Sequence, residues 1–171
     1  MTDFSKFIRD IPDFPKPGIV FKDITPLLKD KFAFREAIDA LASHYEPKKV
    51  DVVVGIDARG FIIGGTLAYR LGVGVVPIRK KGKLPFHTYE ASYDLEYGTD
   101  TLAIHQDAFP PGSRVLICDD VIATGGTITA SIELVEKLGG HVIGIPVLIE
   151  LTFLKGREKF SDYDVFSLIE F

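Results

Sequence analysis

Asp119 and Asp120 stand side by side and are followed, after Val121-Ile122, by the small-residue run Ala123-Thr124-Gly125-Gly126-Thr127. A run of this kind at a helix N-terminus exposes unpaired N–H groups and the positive end of the helix dipole, so it suits an anion. Gly125 and Gly126 let backbone approach a phosphate oxygen closely, and Thr124 and Thr127 add hydroxyl donors. The two carboxylates repel a phosphate unless they face hydroxyls or a metal. A sugar diol carrying a 5′-phosphate meets both demands, so the ligand class is a phosphorylated ribose.

The elements that must position these groups are legible around them. Val115 to Cys118 is a short apolar run with β-branched members, bounded by Arg114 and Asp119, and reads as a buried strand. From Ile128 the spacing turns helical, with Ile128, Ile132, Val135 and Leu138 on one face and Gly139-Gly140 closing the element. The loop therefore joins a strand to a helix. It lacks the Gly-Lys-Ser/Thr ending of a Walker loop, and a generic strand-turn-helix is the bland alternative.

Other charged groups recur at similar places. Val50 to Ile56 reads as a strand and runs into Asp57-Ala58-Arg59-Gly60, where a helix begins. Ligands of open α/β sheets gather at such carboxyl ends, and Arg59 there either pairs with Asp57 or grips a phosphate bidentately. Val73 to Ile78 is a further strand, followed by Arg79-Lys80-Lys81-Gly82-Lys83-Leu84-Pro85, whose cations form a solvated run or a mobile phosphate-gripping lid. Phe21 packs in the core or stacks on a flat heterocycle. Glu96 sits in the first of two short alternating strands, 91–98 and 102–105, around a Gly98-containing turn, where a glutamate on the exposed face is ordinarily inert. His44, His87, His105 and His141 are dispersed, with no metal-ligand spacing and no catalytic triad.

Along the rest of the chain, Phe4, Phe7, Ile8 and Ile11 have the spacing of a short amphipathic helix. The four prolines within 12–26 predict a stiff, irregular segment. Leu28 to Tyr45 predicts one helix with Phe34, Ile38, Leu41 and Tyr45 inward. Val142 to Ile149 predicts a strand, Leu151 to Lys159 a polar connection, and Tyr163 to Ile169 a last strand. At 171 residues with 46% hydrophobic content, one α/β domain is expected. The single cysteine, Cys118, reads as a small buried hydrophobe and excludes an internal disulfide. No stretch reaches the roughly 20 apolar residues of a membrane span, so the expected location is cytoplasmic. A net charge of −4 gives no general attraction to nucleic acid.

The phrase from Asp119-Asp120 through Thr127 resembles the 5-phosphoribosyl-1-pyrophosphate (PRPP) motif of type I phosphoribosyltransferases. That likeness implies that Asp119 and Asp120 hold the ribose hydroxyls while Ala123, Thr124, Gly125, Gly126 and Thr127 hold the 5′-phosphate. Asp-Ala-Arg-Gly and Arg-Lys-x-Gly-Lys-Leu-Pro resemble the family's pyrophosphate loops, which implies Arg59, Arg79, Lys80 and Lys83 as pyrophosphate ligands; Phe86-His87 departs from commoner members. Asp13 through Leu28 resembles the adenine-binding segment of the adenine phosphoribosyltransferases, implying that Val20 and Lys22 read the base edge through their backbone and that Phe21 stacks on it. Leu-Glu-Tyr-Gly resembles the same enzymes' signature and implies Glu96 as the catalytic acid/base.

The resemblance implies an α/β type I phosphoribosyltransferase fold: a mainly parallel central sheet flanked by helices, with a small N-terminal base-covering segment. A single domain over 1–171 is expected, with about 1–28 covering adenine and about 79–106 forming a flexible lid and hairpin. It further implies adenine plus PRPP giving AMP and pyrophosphate, Mg²⁺ held mainly by PRPP rather than by a protein site, and a homodimer, with no nucleic-acid or membrane partner. The alternatives are transfer to another nucleobase and a PRPP-sensing regulator that binds nucleic acid.

Overall fold

The structure, a computed structural model, describes residues 2–95 and 98–171. Among the described residues, nine strands and four α-helices follow in the order β1 (Arg9–Pro12), β2 (Val20–Asp23), α1 (Thr25–Lys29), α2 (Lys31–Tyr45), β3 (Val52–Ile56), α3 (Arg59–Leu71), β4 (Gly74–Lys80), β5 (Thr88–Leu95), β6 (Gly98–His105), β7 (Arg114–Ile122), α4 (Gly126–Lys137), β8 (His141–Glu150) and β9 (Val165–Glu170). A seven-stranded sheet runs β5-β6-β4-β3-β7-β8-β9, and β1 and β2 form a separate two-stranded ribbon. From β4 to β9 the neighbours pair in parallel; the β5/β6 hairpin adds antiparallel to β4.

The apolar runs of β3 and β7 are continuous because both faces of the sheet are covered. Val54, Ile56, Val115 and Ile117 point to the face holding Ile128, Ile132 and Val135 of α4. Their alternates Val53, Leu116 and Cys118 point to the face holding Leu41 of α2 and Ile63 and Leu67 of α3. The chain leaves β3 through α3 toward β4 on one side, and leaves β7 through α4 toward β8 on the other. The crevice between the ends of β3 and β7 is thus the topological switch point, where open α/β sheets bind ligands.

Several sequence expectations are corrected. The Phe4 to Ile11 spacing gives only a 3₁₀ turn, Phe4–Phe7, capped by Asp3. The chain then extends into β1, because pairing with β2 and the 2.7 Å Arg9–Asp23 ion pair outweigh local helix preference. The same ribbon orders part of the segment expected to be irregular. The predicted Leu28 to Tyr45 helix is two: Asp30 is extended, at φ −84° and ψ 110°, and its side chain accepts from the N–H groups of Phe32 and Ala33. β7 does not stop before the paired acids but continues to Ile122, carried past the end of β3 by pairing with β8 at Asp119, Val121 and Ile122. Arg79 and Lys80 belong to β4 rather than to the loop. Leu151 to Lys159 forms two 3₁₀ turns, Thr152–Leu154 and Gly156–Phe160. Among the described residues, no helix is long and apolar enough to cross a membrane.

Candidate active site

β7 carries Asp119 and Asp120 beyond the end of β3, and the loop after Ile122 turns at Gly125, where φ is +82°, into α4. No side chain caps the start of α4, which leaves its first N–H groups facing the crevice. A cavity of about 240 Å³ opens there, lined by Asp119, Asp120, Ala123 to Thr127, Arg59, Lys80 and Tyr93. The structure therefore gathers the paired acids, the small-residue loop and two of the four expected cations into one place.

Close approach of α3 to β7 is what brings Arg59 in. A Cβ at Gly60 would lie 2.9 Å from the Cys118 carbonyl oxygen and 3.0 Å from Asp119 Oδ1, so glycine is required at that contact. Arg59 Nε then stands 2.7 Å from Asp120 Oδ2. Asp57 is not its partner: the Asp57 carboxylate takes Arg79 Nε at 2.9 Å. The Arg59 contact does not meet hydrogen-bond geometry, and Asp120 Oδ2 is buried without any hydrogen-bond donor among the described residues. Buried acceptors are seldom left so, and this one belongs to a residue lining the cavity.

Burial pushes the carboxyls of both Asp119 and Asp120 above the usual carboxylate range; repulsion from Asp120 adds to the effect at Asp119, while Arg59 opposes it at Asp120. Asp119 Oδ1 accepts the Asp120 N–H at 2.9 Å, which fixes its orientation. Lys80 meets Asp100 at 2.9 Å, and that carboxylate holds its ammonium above the ordinary value. Lys81 pairs with Glu90 at 2.8 Å. Arg79 and Lys83 stand outside the cavity lining, although the Lys83 carbonyl accepts from Arg79 Nη1 at 3.4 Å. Glu96 lies outside the described residues.

The ribbon presents its two faces to different neighbours. Phe21 lies under Arg59, with the guanidinium carbon 4.9 Å from the ring centroid, and Phe14 abuts its edge. Val20 and Lys22 face a second cavity of about 640 Å³ lined also by Leu151, Leu154, Phe171 and Thr124. Thr124 lines both cavities, so a larger and mostly apolar space adjoins the acid-and-small-residue-loop space.

Sequence reasoning missed the support behind the loop. A Cβ at Gly156 would lie 2.3 Å from the Ala123 carbonyl oxygen and one at Gly125 would lie 2.6 Å from the Gly156 carbonyl oxygen, so the loop rests directly on the Gly156–Phe160 turn. Arg157 anchors that turn through hydrogen bonds to the buried Glu150 at the end of β8. Tyr93 was missed as well: its ring packs against Gly126, and its hydroxyl donates to Asp100 at 3.3 Å. A lone glycine, or a tyrosine on an alternating strand, carries no local sign of such a task.

The phosphoribosyl transferase domain family model matches residues 25–171. An adenine phosphoribosyltransferase of Acidobacterium capsulatum is 58% identical over 164 residues, covering 96% of this chain and 91% of that protein. The chain belongs to the adenine phosphoribosyltransferase family. Among solved members of that family, the Thermoanaerobacter pseudethanolicus protein matches with a TM-score of 0.96 at 58% identity, covering 99% of this chain and 98% of its own. The Saccharomyces cerevisiae adenine phosphoribosyltransferase, solved with an imino-altritol bisphosphate and adenine, matches with a TM-score of 0.93 at 44% identity over 97% and 96% of the two chains. The central sheet, mostly parallel and flanked by helices, is the type I phosphoribosyltransferase architecture expected from the family motifs.

Proposed function

We propose that the chain transfers the 5-phosphoribosyl group of PRPP to adenine, forming AMP and releasing pyrophosphate. The observation that carries this reading is the pair of cavities meeting at Thr124, one polar with a buried orphan carboxylate oxygen and the other largely apolar. A ribose 5-phosphate seated in the first would direct its anomeric carbon toward a base in the second.

In this reading Asp119 and Asp120 accept the ribose hydroxyls, and a hydroxyl donor satisfies Asp120 Oδ2. The N–H groups and hydroxyls of Ala123 to Thr127 hold the 5′-phosphate. As adenine N9 attacks, pyrophosphate departs from a sugar with oxocarbenium character, and Arg59, Arg79, Lys80 and Lys83 stabilise its growing charge. Their present carboxylate partners, Asp120, Asp57 and Asp100, keep Arg59, Arg79 and Lys80 neutralised in the free protein. Val20 and Lys22 offer backbone groups to the base edge, Phe21 stacks on the base, and Glu96 moves the proton as N9 reacts. Mg²⁺ would arrive held mainly by PRPP, with few protein ligands, and would neutralise phosphate charge there.

The segment 1–28 serves as the base cover, and 79–106 as lid and hairpin, within one domain. A homodimer is supported by the apolar side chains Ile62 and Tyr69, seven residues apart on α3 and 46% and 88% exposed. A cytoplasmic location accords with the free, buried Cys118.

The test is pyrophosphate release from PRPP and Mg²⁺ with adenine, hypoxanthine, guanine, xanthine and orotate supplied separately. Release with adenine alone is expected; release with another base refutes the base assignment, and none with any base refutes the activity. In the same assay Glu96→Gln lowers turnover while nearly keeping PRPP affinity.

A further inference from the structure

The Lys22 side chain is held in a way that reading a base through its backbone does not explain. Its ammonium lies 3.9 Å from the centroid of the Phe171 ring and 2.7 Å from Asp10 Oδ1, and the side chain is only 15% exposed. Asp10 is its cross-strand partner in the β1/β2 ribbon, so the pair braces the ribbon itself. Phe171 belongs to the opposite wall. Its N–H donates to the Glu150 carbonyl at 3.0 Å, and its own carbonyl accepts from Thr152 N at 2.9 Å, on either side of Leu151. Leu151 N in turn donates to the Ile122 carbonyl at the end of the PRPP strand, at 2.9 Å.

These contacts form one mechanical chain from β7 through Leu151 and Phe171 to Lys22 and the ribbon. We infer that the Lys22 side chain is a positioning residue for the base: gripped by Asp10 and the Phe171 ring, it fixes the ribbon at a set distance from the Leu151 wall. The inference rests on the reading that the cavity between ribbon and wall takes adenine. A partly desolvated cation over an aromatic face is strong enough to hold such a strand. It also accounts for a cationic side chain at a position whose proposed base contact is made by the backbone, since arginine would serve equally well over the ring.

The test is steady-state kinetics with adenine and PRPP varied separately, on Lys22→Met, Phe171→Leu, the double variant, Lys22→Arg and Leu154→Trp. Lys22→Met and Phe171→Leu are each expected to raise KM for adenine about threefold to tenfold, with KM for PRPP within about twofold, which also reports that the PRPP site is folded. The double variant is expected to be no worse than either single, and Lys22→Arg to stay near the parent. Leu154→Trp narrows the same cavity while leaving both clamp residues in place and is expected to raise KM for adenine on its own account. If Leu154→Trp raises it while Lys22→Met and Phe171→Leu do not, the clamp is refuted and the cavity assignment survives. If Leu154→Trp leaves it unchanged, the cavity assignment falls and the clamp's role with it. An equal rise in KM for both substrates in Lys22→Met and Phe171→Leu reduces the contact to general structural support and overturns the inference.

Discussion

Gly156→Ala is the sharpest test of how the phosphate loop is held. The added methyl would stand 2.3 Å from the Ala123 carbonyl oxygen, 2.9 Å from Gly125 N and 3.0 Å from Thr124 C. All three atoms are backbone, so no rotamer change relieves the overlap, and restoring ordinary contact requires a shift of about 1 Å. The turn carrying residue 156 is tethered by Arg157, which hydrogen-bonds Glu150 and reaches the Val165 carbonyl at 3.3 Å. Among the described residues the 123–125 loop is held at its α4 end, where the Gly125 carbonyl accepts from Thr129 N and Oγ1, with no side-chain anchor like Arg157, so the loop moves. Overpacking of this kind destabilises by about 1–3 kcal/mol, and a 1 Å misplacement of a positioning element lowers rate about 100-fold. We therefore expect kcat/KM for PRPP to fall about 100-fold, equivalent to about 2.7 kcal/mol, in protein that still unfolds cooperatively. Initial rates at varied PRPP, paired with equilibrium PRPP titration and a thermal melt, measure each part. A folded Gly156→Ala protein with kcat/KM for PRPP within about threefold of the parent would refute the argument that this turn sets the loop.

Two further predictions concern the buried groups of β7. Because the folded protein raises the Asp119 carboxyl above its usual 3.8, its favourable contribution is fully present below about pH 3.8 and is lost as pH rises through the raised value. Asp119→Asn should thus melt at a higher temperature than the parent at pH 7, with the gap closing toward pH 4, while binding PRPP more weakly; melts across pH with PRPP titration check both signs. Cys118 is fully buried and its thiol is pushed up by burial and by the neighbouring acids, so a thiol reagent should modify the native protein negligibly and the unfolded chain once, read by mass.

The parts of this fold that were legible in the sequence are those whose partners are near in the chain or whose burial leaves a period. β7 and α4 were visible because a run buried on both faces gives way abruptly to helical spacing at Ile128. The extension of β7 through Asp119 and Asp120 was not, because it depends on pairing with Val147 and Ile149 of β8, whose influence on two acids has no local trace. Charge pairing was hidden for the same reason. The sequence sets Arg59 beside Asp57, yet the fold gives Asp57 to Arg79 and turns Arg59 to Asp120, each bond joining different elements. That exchange has a chemical consequence which the order of residues alone does not express. Arg59, Arg79 and Lys80 already bear carboxylates, so in the proposed reading an entering pyrophosphate would compete for them rather than meet free charge. In the proposed reading, a ribose hydroxyl donating to Asp120 Oδ2 would supply the hydrogen bond the guanidinium does not make there, weakening the hold of that carboxylate on Arg59. On that reading, occupation of the diol site and release of Arg59 toward pyrophosphate would be one event.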